Sequence, residues 1–135
     1  MFDFFIKYPI SVNEIKEFLA LTLECSLNKI LIITSEELNN STFSEEDLKE
    51  FCCLCIYSKV NGDASWLLNL YRISATEDEI ENKIITTSQL RHIACYIPND
   101  NFNGYLLVGE DDNPIQVYED EDIKEENMYI FRKFI

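Results

Sequence analysis

Five cysteines and a single histidine are the first residues in this 135-residue chain whose types could do chemistry. Cys52 and Cys55 form a C-x-x-C, and His92 and Cys95 an H-x-x-C, together four soft donors of the kind that hold tetrahedral zinc. Their surroundings argue against a metal. Cys52-Cys53-Leu54-Cys55 lies in an apolar stretch without the Gly or Pro that turns ligands inward, and on a strand over Arg91 to Ile97 the His92 and Cys95 side chains point to opposite faces. Packing is the expected role, since free cysteine is among the most buried residue types. Asn99, Asn101, Asn103, Gly104 and Glu110 match ligand positions of a calcium-binding EF-hand loop. The first ligand is neutral, however, and Pro98 and an expected strand stand where helices belong, so a polar hairpin is the expected structure. There is no G-x-S-x-G, no phosphate-binding glycine loop and no H-E-x-x-H. Acids are abundant, but abundance specifies no catalytic pair. The sequence therefore predicts a non-enzymatic protein without cofactor or metal.

The acids carry the strongest pattern. Twenty-five Asp and Glu oppose eleven Lys and Arg, a formal charge of −14. Nine of them fall between Glu110 and Glu126: Glu110, Asp111, Asp112, Glu119, Asp120, Glu121, Asp122, Glu125 and Glu126, with only Lys124 among them. Like charges gathered on one side cost stability unless a partner uses them. Tyr105, Tyr118 and Tyr129 are interleaved and are the expected aromatic anchors inside this charged rim, Tyr118 among the expected partner-binding residues. Glu77, Asp78, Glu79 and Glu81 form a second cluster. Direct nucleic-acid binding is disfavoured, because such affinity comes largely from Lys and Arg. An anionic membrane is disfavoured likewise, and a basic protein is the expected partner. The plainer alternative is that the charge only keeps a small protein soluble.

The elements positioning these residues read as one α+β domain over residues 1–135, an antiparallel meander with helices packed on it. Phe2 to Ile6 reads as a strand. Ser11 and Glu14 have capping-box spacing ahead of a helix to about Glu24 with Ile15, Phe18, Leu19 and Leu23 on one face. Lys29 to Thr34 reads as a buried strand. Ser44 starts a second capped helix, expected to reach Tyr57 with Leu48, Phe51, Cys52 and Cys55 on its apolar side, before an Asn61-Gly62 turn. Trp66 to Ile73, apolar with partial alternation, reads as a strand with a helix as the alternative, and Thr76 to Lys83 as an exposed acidic connection. Further strands are expected at Arg91 to Ile97, Tyr105 to Val108 and Ile115 to Tyr118, with turns at Asn103-Gly104 and Asp112-Asn113-Pro114. The C-terminus fits either a helix bearing Ile123, Asn127, Ile130, Phe131 and Phe134 or a strand from Met128. Met1-Phe2-Asp3 lacks the basic start of a signal peptide, and an odd number of cysteines suits a reducing compartment, so a cytoplasmic location is expected.

Several of these segments together resemble a known family. The Phe51 to Gly62 stretch, an expected apolar helix running into Val60-Asn61-Gly62, the strand at Leu68 to Ile73, the meander through Tyr96-Ile97-Pro98, Gly104 to Val108 and Ile115 to Tyr118, and the aromatic end at Phe131 and Phe134 are similar to SUKH-type immunity proteins. The likeness covers roughly residues 44–135 and departs from the family in having one hairpin glycine and a longer acidic tail. It implies an α+β fold and neutralisation of a toxin delivered by neighbouring bacteria, as in contact-dependent growth inhibition, where the immunity protein binds a C-terminal toxin domain that is often a basic nuclease. The competing expectation is an acidic nucleic-acid mimic that inhibits a DNA-binding protein, such as a phage anti-defence protein.

Overall fold

In a computed structural model describing residues 1–99 and 104–134, Phe2–Ile6 is the strand β1, as its composition predicts. The chain then bends at Pro9 into α1 (Val12–Leu23), opened by the expected box: Glu14 N–H donates to Ser11 Oγ at 3.1 Å and Ser11 N–H to Glu14 Oε1 at 3.2 Å. Trp66 Nε1 donates to Ile10 O at 2.9 Å and ties this bend to the sheet. Ile15, Phe18 and Leu19 form the buried face of α1. The strand expected at Lys29 to Thr34 is β2 (Ile30–Ile33), but it lies at a sheet edge and is only half buried at Leu31 and Ile32.

Two sequence expectations fail next, for different reasons. Ser44 does cap a helix, with Asp47 completing the box, yet after α2 (Ser35–Asn39) this helix α3 (Glu45–Leu48) makes a single turn. Cys53–Lys59 is the strand β3, not the helix continuation expected to Tyr57. Cys53, Leu54 and Cys55 are all buried, so both faces are apolar and the two-residue period that marks a strand is hidden. Conversely, the acidic connection expected at Thr76 to Lys83 is the start of the fifteen-residue helix α4 (Glu77–Arg91), capped by Thr76. Its buried face includes Thr87 and Ser88 beside Ile80 and Ile84, so half of the stripe is polar and its helical period faint. The helix also consumes the expected start of the next strand: His92, at φ 53°, ends it, and β6 begins at Cys95 (Cys95–Asn99).

After β3 come β4 (Asn61–Gly62) and β5 (Trp66–Tyr71); after β6 come β7 (Gly104–Val108), β8 (Ile115–Glu119), β9 (Met128–Tyr129) and β10 (Phe131–Lys133). The C-terminus therefore takes its strand alternative, not the helix. The turn expected at Asn103-Gly104 lies partly outside the described residues, with Gly104 opening β7. Eight strands make one sheet in the order β10-β8-β7-β6-β1-β5-β3-β2, antiparallel except between β2 and β3. The fold is α+β.

Alternation along the central strand divides the core in two. Phe2, Phe4 and Ile6 face α1 and α4 and pack with Ile15, Phe18, Leu19, Ile80 and Ile84. Phe5 points the other way, into a second cluster with Tyr96, Leu107, Val117 and Phe131. Among the described residues this second cluster contains no helical residue; the strap from Asp120 to Ile130 that links β8 to β10 joins it through Tyr129, whose ring lies 4.7 Å from Phe5.

Candidate functional site

The fold splits the predicted acidic surface into two groups. β7 and β8 run antiparallel, Leu107 opposite Ile115 and Gly104 opposite Tyr118. Glu110, Asp111 and Asp112 sit in the turn at one end of this hairpin, whereas Glu119 and the acids after it lie at the other. Four residue steps of β8 separate the two groups by about 14 Å.

In the first group Glu110 is neutralised by a residue distant in sequence, whereas Asp111 and Asp112 are exposed and, among the described residues, in no ion pair. Lys7 Nζ donates to Glu110 Oε1 at 2.8 Å and Oε2 at 3.0 Å, and Tyr8 OH donates to Glu110 Oε1 at 2.6 Å. Lys7, then Tyr8, hold the Glu110 carboxyl below the usual glutamate range. Asp111 lies on the rim of a groove of about 530 Å³ that also presents Lys7, Asp63, Tyr96, Phe131 and Lys133. Two lysines among three acids give that groove no single sign. Asp112 is exposed, and its carbonyl accepts from Gln89 Nε2 at 3.4 Å.

The second group rides on the strap. Asp120 is tied down: Arg132 Nε donates to its Oδ2 at 2.6 Å, the Asp122 N–H to its Oδ1 at 3.0 Å, and its own N–H reaches Ile130 O at 2.8 Å. Glu121, Asp122, Glu125 and Glu126 are exposed, and among the described residues none of their carboxylates is in an ion pair. Glu119 is half buried at the end of β8; burial first, then the charge of Glu121, pushes its carboxyl up. Tyr105 beneath it is pushed up to about 12, by burial and then by Glu119. Negative charge is therefore crowded here and compensated only in part, by Arg132 on Asp120.

This strap is held in a fixed register. Asn61 and Gly62 pair with Met128 and Tyr129 in parallel. Asn61 N–H donates to Asn127 O and Asp63 N–H to Tyr129 O, both at 2.8 Å, while Asp63 Oδ2 accepts from the Phe131 N–H at 2.9 Å. Asn61-Gly62 thus serves as a docking rung for the strap as well as the expected chain reversal. Tyr118, one of the anchors expected from sequence, alternates to the opposite sheet face from Glu119 and packs on Phe134 at 5.2 Å. Tyr129 is the aromatic that underlies the strap. Glu77, Asp78 and Glu79 are accounted for by the first turn of α4, where the helix dipole favours acids and Glu79 N–H donates to Thr76 Oγ1 at 3.2 Å.

The packing expected of the soft donors holds for Cys55 and Cys95 but not for Cys52, exposed just before β3, nor for His92, which is exposed too. His92 ends α4, whereas Cys55 and Cys95 are buried, Cys95 pushed up to about 12 by burial. Among the described residues no group of three or more His, Cys, Asp or Glu side chains is placed to hold a metal. Asn99 ends β6 and Gly104 opens β7, so strands flank the calcium-like pattern; Asn101 and Asn103 lie outside the described residues. The fold and site define an acidic α+β domain. The chain matches no protein-family model, no curated protein and no solved structure.

The Lys7–Glu110 pair has a pH signature. Glu110 titrates lower in the folded protein, so its pairing stabilises the fold above the ordinary glutamate range and is lost as pH falls through the lowered value. The Lys7 ammonium is raised by Glu110 against the opposing effect of burial, so its share is lost only on strong alkalinisation. With the two side chains 23% and 30% exposed, solvent screening limits the pair. Glu110→Gln is expected to cost about 0.5–1 kcal/mol at neutral pH. It should also leave a shallower fall in the urea midpoint between about pH 5 and 3. Parallel pH profiles for the two proteins would exclude this role for Glu110.

Proposed function

We propose that this chain is a non-catalytic immunity protein that binds and neutralises a cognate basic toxin domain in the cytoplasm. The docking surface is the acidic strap from Glu119 to Glu126, with Glu110, Asp111 and Asp112 outside its centre. One observation carries the reading: the exposed carboxylates of Glu121, Asp122, Glu125 and Glu126, in no ion pair among the described residues, lie on a segment whose end is fixed at Met128 and Tyr129 by backbone pairing beside an aromatic cluster. A pre-ordered surface of one sign attracts a basic protein at long range and loses little conformational entropy on contact. The net charge of −14 supports the same class of partner. Among the described residues no helix is long and apolar enough to cross a membrane, which agrees with a partner met in solution. The family likeness contributes less, because the helix it expects before Asn61-Gly62 is replaced by the strand Cys53–Lys59.

Co-expression tests the reading. The C-terminal domain encoded by the gene immediately upstream is expected to arrest growth, and this chain to restore it. A harmless upstream domain, or arrest that persists, defeats the assignment. Binding to many unrelated DNA-binding proteins would instead favour the nucleic-acid mimic. The surface itself is tested by replacing Glu121, Asp122, Glu125 and Glu126 with Lys. Association with that domain should slow about 10- to 100-fold at low salt and lose its ionic-strength dependence. An unchanged on-rate removes the strap from the interface.

A further inference from the structure

We propose that the groove beside the strap receives an arginine side chain of the basic partner, its guanidinium donating to Asp63 and Tyr96. The inference deepens the reading above and rests on it for the source of the arginine. The floor of the groove is apolar and comes from four strands. Tyr96 of β6 stacks on Phe131 of β10 at 4.0 Å and 14°, with Leu107 of β7 and Val117 of β8 beside them. A volume of about 530 Å³ admits a long side chain together with its flanking backbone. The Asp63 N–H donates to Tyr129 O at 2.8 Å, so the groove adjoins the fixed end of the strap and one partner can cover both.

Two polar groups on this groove have free capacity. Tyr96 is only 3% exposed, yet its hydroxyl makes no hydrogen bond among the described residues. No enclosed side-chain oxygen or nitrogen among those residues lacks a partner, so this hydroxyl must open outward, and the groove is the opening that Tyr96 lines. Asp63 is half-buried, and its Oδ2 accepts from the Phe131 N–H at 2.9 Å. Its Oδ1 is left without a hydrogen bond, and its carboxylate is in no ion pair among the described residues. Phe131 brings the two together, holding Asp63 by its backbone and Tyr96 by its ring.

The charge balance selects a cation. Lys7 and Glu110 cancel each other at 2.8 Å, which leaves Asp63 and Asp111 against Lys133 on the exposed rim. Arg132, next to Phe131 in β10, is committed to Asp120 at 2.6 Å. Burial above all pushes the Tyr96 phenol up to about 12, so it stays neutral and its oxygen keeps acceptor lone pairs. A planar guanidinium donates to both acceptors and is weakly hydrated, while its methylenes cover Leu107 and Val117. An ammonium is a strongly hydrated point charge and loses more on entering.

Titration of the isotope-labelled full chain with Nα-acetyl-arginine amide at constant ionic strength, followed by amide NMR, tests this. Saturable shifts are expected at Asp63, Tyr96 and Phe131, with weaker binding of Nα-acetyl-lysine amide. Asp63→Asn, which keeps an oxygen for the Phe131 N–H, should weaken binding about 10-fold, and Tyr96→Phe, which keeps the ring stack, about 3-fold. Shifts confined to Glu119 through Glu126, equal affinity for the lysine compound, or parent-like affinity in Asp63→Asn would overturn the proposal. Growth rescue with a silent titration sinks the groove alone. Saturable shifts with failed rescue sink the toxin assignment and leave the arginine site standing.

Discussion

Phe5→Ala is expected to destabilise the protein by about 3–5 kcal/mol, as truncation of a buried aromatic does in a packed core. Phe5 is 5% exposed and stands on the second face of the sheet's central strand, between β5 and β6. Its ring meets Tyr129 at 4.7 Å, Phe131 at 5.5 Å and Tyr105 at 5.9 Å, and Phe131 stacks on Tyr96 at 4.0 Å. Those neighbours come from four different strands, so none can collapse into the void without leaving its own ladder. Urea unfolding should show a lower midpoint with an unchanged slope. Phe43→Ala, by contrast, truncates a ring that is 42% exposed and should stay within about 0.5 kcal/mol of the parent. A loss under about 1 kcal/mol for Phe5→Ala would mean that the strap's aromatic underside is not the second core.

Gly62→Ala should cost about 2–3 kcal/mol, with its effect concentrated in the strap. Gly62 has φ +95°, a region L side chains rarely adopt, and a Cβ there would lie 2.3 Å from Tyr129 O. Both partners are backbone, so relief requires separating Gly62 from Tyr129, the rung that fixes the acidic segment. Hydrogen exchange should accelerate at the Asn61 and Asp63 amides, which donate to Asn127 and Tyr129, before it does in β1 or β5. Uniform acceleration across the sheet would show that the strap is not a separable unit. Because the strap is the proposed docking surface, the same variant should shorten the complex's lifetime more than it slows encounter, whereas the lysine reversals act on encounter.

Much of the frame was legible because its signals are local. Ser11 and Glu14 announce α1, and short β-branched or aromatic runs announce β1, β5, β7 and β8. Where the signal is not local, sequence reading falters. A capping box at Ser44 specifies where a helix begins and says nothing of where it stops; the strand pairing of Cys53 to Lys59 with β5 and β2 decides that. In α4 the buried Thr87 closes its hydroxyl on Lys83 O at 3.0 Å, and the buried Ser88 hydroxyl meets Cys95 Sγ at 3.4 Å. Polar residues can therefore occupy a buried stripe, while looking like solvent-facing ones in a linear reading.

The same division holds for the site. Sequence by itself determined the excess of carboxylates, their gathering between Glu110 and Glu126, and the absence of familiar catalytic motifs, because these follow from residue identity and order alone. Only the tertiary structure decided which of those charges remain unanswered. Glu110 is neutralised by Lys7 and Asp120 by Arg132, across 103 and 12 positions respectively, while Asp111, Asp112, Glu121, Asp122, Glu125 and Glu126 are in no ion pair among the described residues. Coulombic compensation depends on distance in space, and the register of β1, β8 and β10 sets that distance whatever the spacing along the chain.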